Sequence, residues 1–190
     1  MANATTTLST SNKESALVAQ LQDERQREVA FGTLVSTYQE RLYYHVRRML
    51  GNHDDADDVL QNTFIKVWKA LDRFRGDSKL HTWLYRIATN EALTALEKRK
   101  RRSFQDLETL EDNAAYSKRQ ESETIGSEIE AKLDQAILGL PDRQKAVFNL
   151  RYFDEMPYEE MSNVLGVTVG ALKASYHHAV KKIEKSLSES

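Results

Sequence analysis

The side chains able to do chemistry in this chain gather as hydrogen-bond donors and cations rather than as catalytic sets. The five histidines, His45, His53, His81, His177 and His178, lack the i, i+4 spacing of a helical metal pair, and no Gly-rich phosphate loop is present. There is no cysteine, which excludes disulfides and thiolate metal sites. No enzyme activity, metal or cofactor is expected. Three groups remain. Lys98-Arg99-Lys100-Arg101-Arg102 is an unbroken basic run suited to phosphates, although cations closing a helix also fit its dipole. The segment Phe74-Arg75-Gly76-Asp77-Ser78-Lys79 leads into Thr82, Arg86, Thr89 and Asn90. Such a mixture could hold an unpaired base by hydrogen bonds and stacking while the cations meet phosphates. The third group is Val169, Gly170, Lys173, Ala174, His177 and Lys181, which share the outer face of one helix near the C-terminus.

That last group needs a helix-turn-helix to present it. Tyr158 to Leu165 reads as a short helix with an acidic start, Gly166 as the tight turn, and Thr168 as the N-cap of a second helix. Met161, Val164, Leu165, Val167, Leu172, Tyr176 and Val180 can close on one another, and a second helix so placed fits the major groove. A plain helical hairpin would give the same apolar spacing. Upstream, a helix from about Arg25 to Leu50 turns Val29, Phe31, Leu34, Tyr38, Leu42, Val46 and Leu50 inward and ends at Gly51-Asn52. The next begins within Asp54 to Asp58, where carboxylates suit a helix N-terminus, and runs to about Leu71. Its inner stripe includes Val59, Leu60, Phe64, Val67 and Trp68, leaving Asp58, Gln61, Asn62 and Ile65 outside. A further helix spans about Leu80 to Arg99, with Trp83 on its apolar stripe. For both tryptophans core packing is the stronger reading.

Composition sets the frame. The 190 residues carry 27 Lys and Arg against 29 Asp and Glu, for a formal charge of −2, so no overall basic field exists. The charge is segregated, with Asp106 to Asp134 mostly acidic. Few glycines and two prolines favour an all-α protein. The expected plan is two small helical domains joined by a flexible acidic linker. A tail and short helix capped at Ser11 occupy 1–22, the first domain 23–102, the linker 103–127, and the domain with the helix-turn-helix 128–190. The first ten residues are expected to be disordered. Apolar stretches are too short to span a bilayer, and a cytoplasmic protein without membrane contact is the simplest expectation.

The two helical blocks, in this order, resemble the RNA polymerase sigma factors of the extracytoplasmic-function (ECF) type in the sigma-70 family. One block runs from Phe31 to Arg102 and includes DADDVLQNTFIKVWKALDRFRGDSKLHTWLYRIATN; the other is LPDRQKAVFNLRYFDEMPYEEMSNVLGVTVGALKASYHHAVKKI, Leu140 to Ile183. The resemblance implies that Asp58, Gln61, Asn62 and Ile65 dock on the clamp coiled coil of the largest polymerase subunit. It implies that Arg75, Asp77, Ser78, Lys79, Thr82, Arg86, Asn90, Lys98 and Arg99 recognise the −10 element and hold the melted non-template strand. Val169, Lys173, Ala174, His177, His178 and Lys181 would read the −35 element as double-stranded DNA, with that domain on the beta-subunit flap. Many relatives carry more arginines on this helix, and here His177 and His178 stand where a fixed cation might be expected. An anti-sigma partner is implied by the resemblance alone. An operator-binding regulator or a helical adaptor are the competing readings of the residues themselves.

Overall fold

The computed structural model describes residues 3–109 and 128–189, with side chains over 13–103 and 129–189. Among the described residues all regular structure is helical. Helix α1 (Asn3–Gln22) precedes α2 (Arg27–Leu50), α3 (His53–Ala70), a 3₁₀ turn at Leu71–Arg73, and α4 (Leu80–Thr109). The second unit holds α5 (Glu128–Leu138), α6 (Asp142–Tyr152), α7 (Tyr158–Leu165) and α8 (Val169–Ser188).

Local chemistry explains most boundaries. Gly51 ends α2 in the left-handed conformation, φ 85°, with its N–H donating to the Arg47 carbonyl. Asn52 then caps α3 by accepting from the Asp55 N–H at 2.8 Å. Asp54 and Asp55 fall in the first turn, so the dipole favours them there. Pro141 and Pro157 precede α6 and α7, where a missing N–H costs nothing. Gly166 takes φ 67° between α7 and α8, and the Thr168 hydroxyl accepts from the Ala171 N–H. The helix-turn-helix therefore has the turn and cap read from its sequence.

Helices α2, α3 and α4 bury Leu34, Leu42, Val46, Ala56, Val67, Leu84 and Ala88 among themselves. In the second unit Ala136, Ile137, Leu140, Phe148, Ala179 and Ile183 form a separate cluster. Between the two, Ala146, Leu150, Met156, Met161, Val164 and Leu172 join the apolar cluster that contains the α2–α4 residues. The two helical domains thus meet through one continuous apolar cluster.

Several expectations need correction. Val29, expected inside, is 78% exposed, because the inner stripe of α2 begins at Ala30 and Leu34. Trp68 is 43% exposed and packs edge-on against Phe31 at 4.9 Å instead of entering the core. Helix α1 starts at Asn3, ahead of Ser11 and within the segment expected to be disordered. Helix α4 runs ten residues beyond Arg99 to Thr109, so the basic run lies inside it and the first part of the expected linker is helical. The rest of that linker, 110–127, lies outside the described residues. Thr82 and Thr89, expected on an outer face, are buried.

Candidate polymerase and nucleic-acid interfaces

The face of α3 expected to dock is built as a single stripe. Asp58, Gln61, Asn62 and Ile65 follow i, i+3, i+4 and i+7 spacing, and all four are exposed. The half-exposed Trp68 extends the stripe by one position, which the sequence reading had placed in the core. Behind it, Lys66 of α3 pairs with Glu91 of α4 and fixes the two helices together.

The second face follows the 3₁₀ turn. Arg75 and Asp77 are exposed, Ser78 is half-buried, and Gly76 adopts φ 76°, a conformation that favours glycine. Helix α1 grips both ends of this loop. The Gln22 side-chain amide donates to the Phe74 carbonyl at 3.2 Å, while Glu14 accepts from the Leu80 N–H at 2.5 Å and so caps α4. Arg27 adds an ion pair to Asp72 at 2.7 Å, and the Phe74 ring lies 4.8 Å from that of Trp83. Beyond the loop, Arg86, Asn90, Lys98 and Arg99 point to solvent along α4. Arg99 also donates to the Leu50 carbonyl at 3.2 Å, anchoring the start of the basic run to the end of α2.

Lys79 and Thr82 are placed differently, because the second domain meets them: Thr82 is buried, and Lys79, though exposed, pairs across the seam. Lys79 Nζ donates to Glu160 of α7 at 2.7 Å, His81 Nε2 lies 2.6 Å from the same carboxylate, and Thr82 Oγ1 donates to it at 3.2 Å. Burial pushes the Glu160 carboxyl up, but the bonds from Lys79 and His81 outweigh it and hold the group below its ordinary value. Lys79 is raised correspondingly, mainly by its hydrogen bond to Glu160.

A second clasp lies deeper. Asp154, in the loop between α6 and α7, accepts from Tyr85 at 2.9 Å and pairs with His45 Nδ1 at 2.9 Å. The other His45 nitrogen sits 3.0 Å from the Thr89 hydroxyl, and the His45 side chain is fully buried. Burial, then the neighbouring Asp154 charge, pushes the Tyr85 hydroxyl well above its usual range. The loop carrying Asp154 places the next residue, Glu155, at φ 50°, a conformation rare outside glycine and costing on the order of 1 kcal/mol. On the flank Arg48 lies over the Phe153 ring at 4.0 Å and Lys100 meets Asp142 at 2.5 Å. An open-sided cavity of about 730 Å³ remains between α1, the Phe74–Lys79 loop and Asp154–Glu160.

Sequence reasoning missed His81, Glu160, Asp154, His45 and Tyr85. Only His45 left a signal: it falls on the apolar stripe of Leu42, Val46 and Met49, where a buried imidazole needs partners.

The third face is unobstructed. Lys173, Ala174, His177, His178 and Lys181 are exposed along α8 and Val169 is half-buried at its start. Lys173 Nζ lies 5.7 Å from the centre of the Tyr158 ring, and the two histidine rings are 6.1 Å apart. Among the described residues no group of His, Asp and Glu is arranged to hold a metal ion, and no helix is long and apolar enough to cross a membrane.

Comparison with known proteins gives this geometry a family. Residues 34–102 match sigma-70 region 2 and residues 130–183 match sigma-70 region 4. The chain is 33% identical to the ECF RNA polymerase sigma factor SigW of Bacillus subtilis, over 83% of this chain and 89% of that one. It is 34% identical to the RNA polymerase sigma-H factor of Pseudomonas aeruginosa, over 94% and 95% of the two chains. In three dimensions it is similar to CnrH in complex with the cytosolic domain of CnrY, at a TM-score of 0.68 and 27% identity, over 93% and 97% of the chains. The fold also matches the sigma factor RpoE, crystallised with the anti-sigma factor NepR from Bartonella quintana, at a TM-score of 0.67 and 24% identity over 83% and 96%. Two regions in this order, with whole-length relatives at this identity, establish that the chain belongs to the ECF sigma factors of the sigma-70 family.

Proposed function

We propose that the three exposed faces divide the work of a sigma factor, which binds core RNA polymerase, directs it to promoters and promotes melting. The α3 stripe of Asp58, Gln61, Asn62 and Ile65 docks on the polymerase clamp. The loop from Arg75 to Lys79 and the α4 residues Thr82, Arg86 and Asn90 take the −10 element, with Lys98 and Arg99 on the phosphates. The α8 face of Val169, Lys173, Ala174, His177, His178 and Lys181 enters the major groove at the −35 element while its domain sits on the beta-subunit flap. The observation that supports this reading most is the separation of three exposed, largely polar sets, Asp58, Gln61, Asn62 and Ile65 on α3, Arg86 and Asn90 on α4, and Lys173, His177, His178 and Lys181 on α8.

The protein performs no covalent chemistry and acts in the cytoplasm, beside the polymerase. Two modest DNA-binding faces gain affinity by effective concentration once polymerase holds both. A partner that binds this chain as the cytosolic domain of CnrY binds CnrH is expected too. The test is run-off transcription with core polymerase. Wild-type chain should support it, and Gln61→Glu with Ile65→Lys should weaken core binding about tenfold or more while leaving helicity intact. Undiminished affinity of that variant removes α3 from the assignment.

A further inference from the structure

The Glu160 carboxylate has an unusual set of partners. One oxygen takes Lys79 Nζ at 2.7 Å; the other takes His81 Nε2 at 2.6 Å and Thr82 Oγ1 at 3.2 Å. All three donors come from the first domain, at the junction of the loop with α4, and all three converge on one anion from the second. Its neighbour Glu159 stands in the same first turn of α7 and would satisfy the helix dipole equally well, yet it is exposed and outside this cluster. A dipole effect therefore does not explain the convergence. A phosphodiester presents two non-bridging oxygens with much the same spread as a carboxylate, and Lys, His and Thr side chains are ordinary donors to it. Glu14, whose carboxylate lies 4.0 Å from His81 Nδ1, borders the other side of the imidazole.

We propose that Lys79, His81 and Thr82 form a subsite for one backbone phosphate of the opened promoter strand, and that Glu160 occupies it in the closed chain as a built-in competitor. This rests on the assignment of the α4 face to the −10 element. His81 enters the DNA-binding set by this route, and Glu160 becomes a residue that withholds DNA rather than binding it. The carboxylate and a phosphate exclude each other, so strand capture at this point requires α7 to move off α4. The depressed Glu160 carboxyl and raised Lys79 agree with an ion pair formed in the closed chain.

The contact is to a phosphate and independent of base identity, so a short fluorescein-labelled oligothymidylate serves as probe for the full-length free chain. Glu160→Gln should raise its affinity roughly threefold to tenfold and steepen the salt dependence towards that of one further phosphate contact. Glu159→Gln, with the same change in net charge, should shift affinity much less. Adding Lys79→Ala to Glu160→Gln should cancel the gain. The proposal is overturned if the Glu159 and Glu160 variants shift alike, if neither shifts, or if the gain survives without Lys79. Circular dichroism checks the fold. Should Glu160→Gln unfold, Lys79→Ala in the holoenzyme on a pre-melted promoter replaces it: a loss of about threefold supports the subsite and no loss overturns it. Run-off transcription separates the two readings. A wild-type chain that fails with core polymerase defeats the assignment of function, whereas one that succeeds while Glu160→Gln binds like wild type defeats only the subsite.

Discussion

The outer face of α8 and the outer face of α4 carry similar donors, yet the fold treats them differently. Lys173, His177, His178 and Lys181 stand in solvent, with only the Tyr158 ring near Lys173. On α4, Arg86 and Asn90 are equally open, but Lys79, His81 and Thr82 are engaged by Glu160 and the covered Thr89 is tied to His45. The surface proposed to read duplex is open, while the one proposed to hold unpaired bases is only partly so. That asymmetry fits an order of events in which single-strand capture waits for the domains to part. It also places the energetic cost of opening on one of the two surfaces alone.

The sharpest way to break this comparison is to unlock the clasp. Asp154→Ala should remove the acceptor of the buried Tyr85 hydroxyl and of His45 Nδ1, at about 1–3 kcal/mol for each group left unpaired. Fluorophores placed one on each domain should report a larger separation, and binding of single-stranded DNA by the free chain should strengthen. An unchanged distance would mean that apolar packing alone holds the domains together. Next in size, Arg86→Ala with Asn90→Ala acts on the open part of the α4 face. It should impair open-complex formation more than initial duplex binding, by on the order of 1–3 kcal/mol per lost base contact. Permanganate footprints matching wild type at limiting protein would detach these residues from melting.

The α8 face should respond more uniformly. Lys173→Ala is expected to weaken promoter binding by the holoenzyme across sequences and lower the salt slope by about one. A loss confined to one promoter sequence would instead assign Lys173 to a base. A pH effect concerns Lys145 on α6, which is buried and donates to the Met49 carbonyl of α2 at 3.4 Å. Burial lowers its pKa from 10.5 to about 8, with Asp142 opposing that and Arg99 and Lys100 adding to it. Below about pH 8 the lysine is charged in both states, and the cost of burying the charge is fully present. From there to 10.5 the buried amine is neutral while an exposed one is still charged, so closure should strengthen as pH rises through this window. The same inter-domain fluorophores, followed from pH 7.5 to about 9.5 in wild type and Lys145→Met, check this. A flat profile in wild type would show that Lys145 does not move with the domains.

What the sequence disclosed and withheld follows from the range of the forces involved. The helix-turn-helix was legible because Gly166 and Thr168 act within a few residues, and the α3 stripe because periodicity is local. Helix α4 was cut short because the apolar repeat fades after Leu96, but losing a repeat does not by itself end a helix. Lys98 to Thr109 contains good helix formers and neither Gly nor Pro, so the helix continues to Thr109. Thr82 and Thr89 read as outward because they are polar and fall off the stripe of Leu80, Trp83, Leu84, Ile87 and Ala88. Their burial depends on Glu160 and His45, which lie 78 and 44 positions away in the chain. Trp68 sat on the inner stripe by spacing, yet its contact is with Phe31 at the rim, which leaves one side of the ring for a partner.

Asn149 sits one turn beyond Lys145 on the α6 stripe that faces α2, fully buried, with neither amide atom hydrogen-bonded among the described residues. A buried group in that condition costs about 1–3 kcal/mol, which is the size of term that decides a two-state population. If closure is favoured by about 1.4 kcal/mol, roughly one chain in ten is open, and apparent affinity for any partner of the open form falls about tenfold. An amide unpaired only in the closed form would act as a set-point. It would keep the closed form from becoming a trap and leave an open fraction for a partner to draw on by mass action alone.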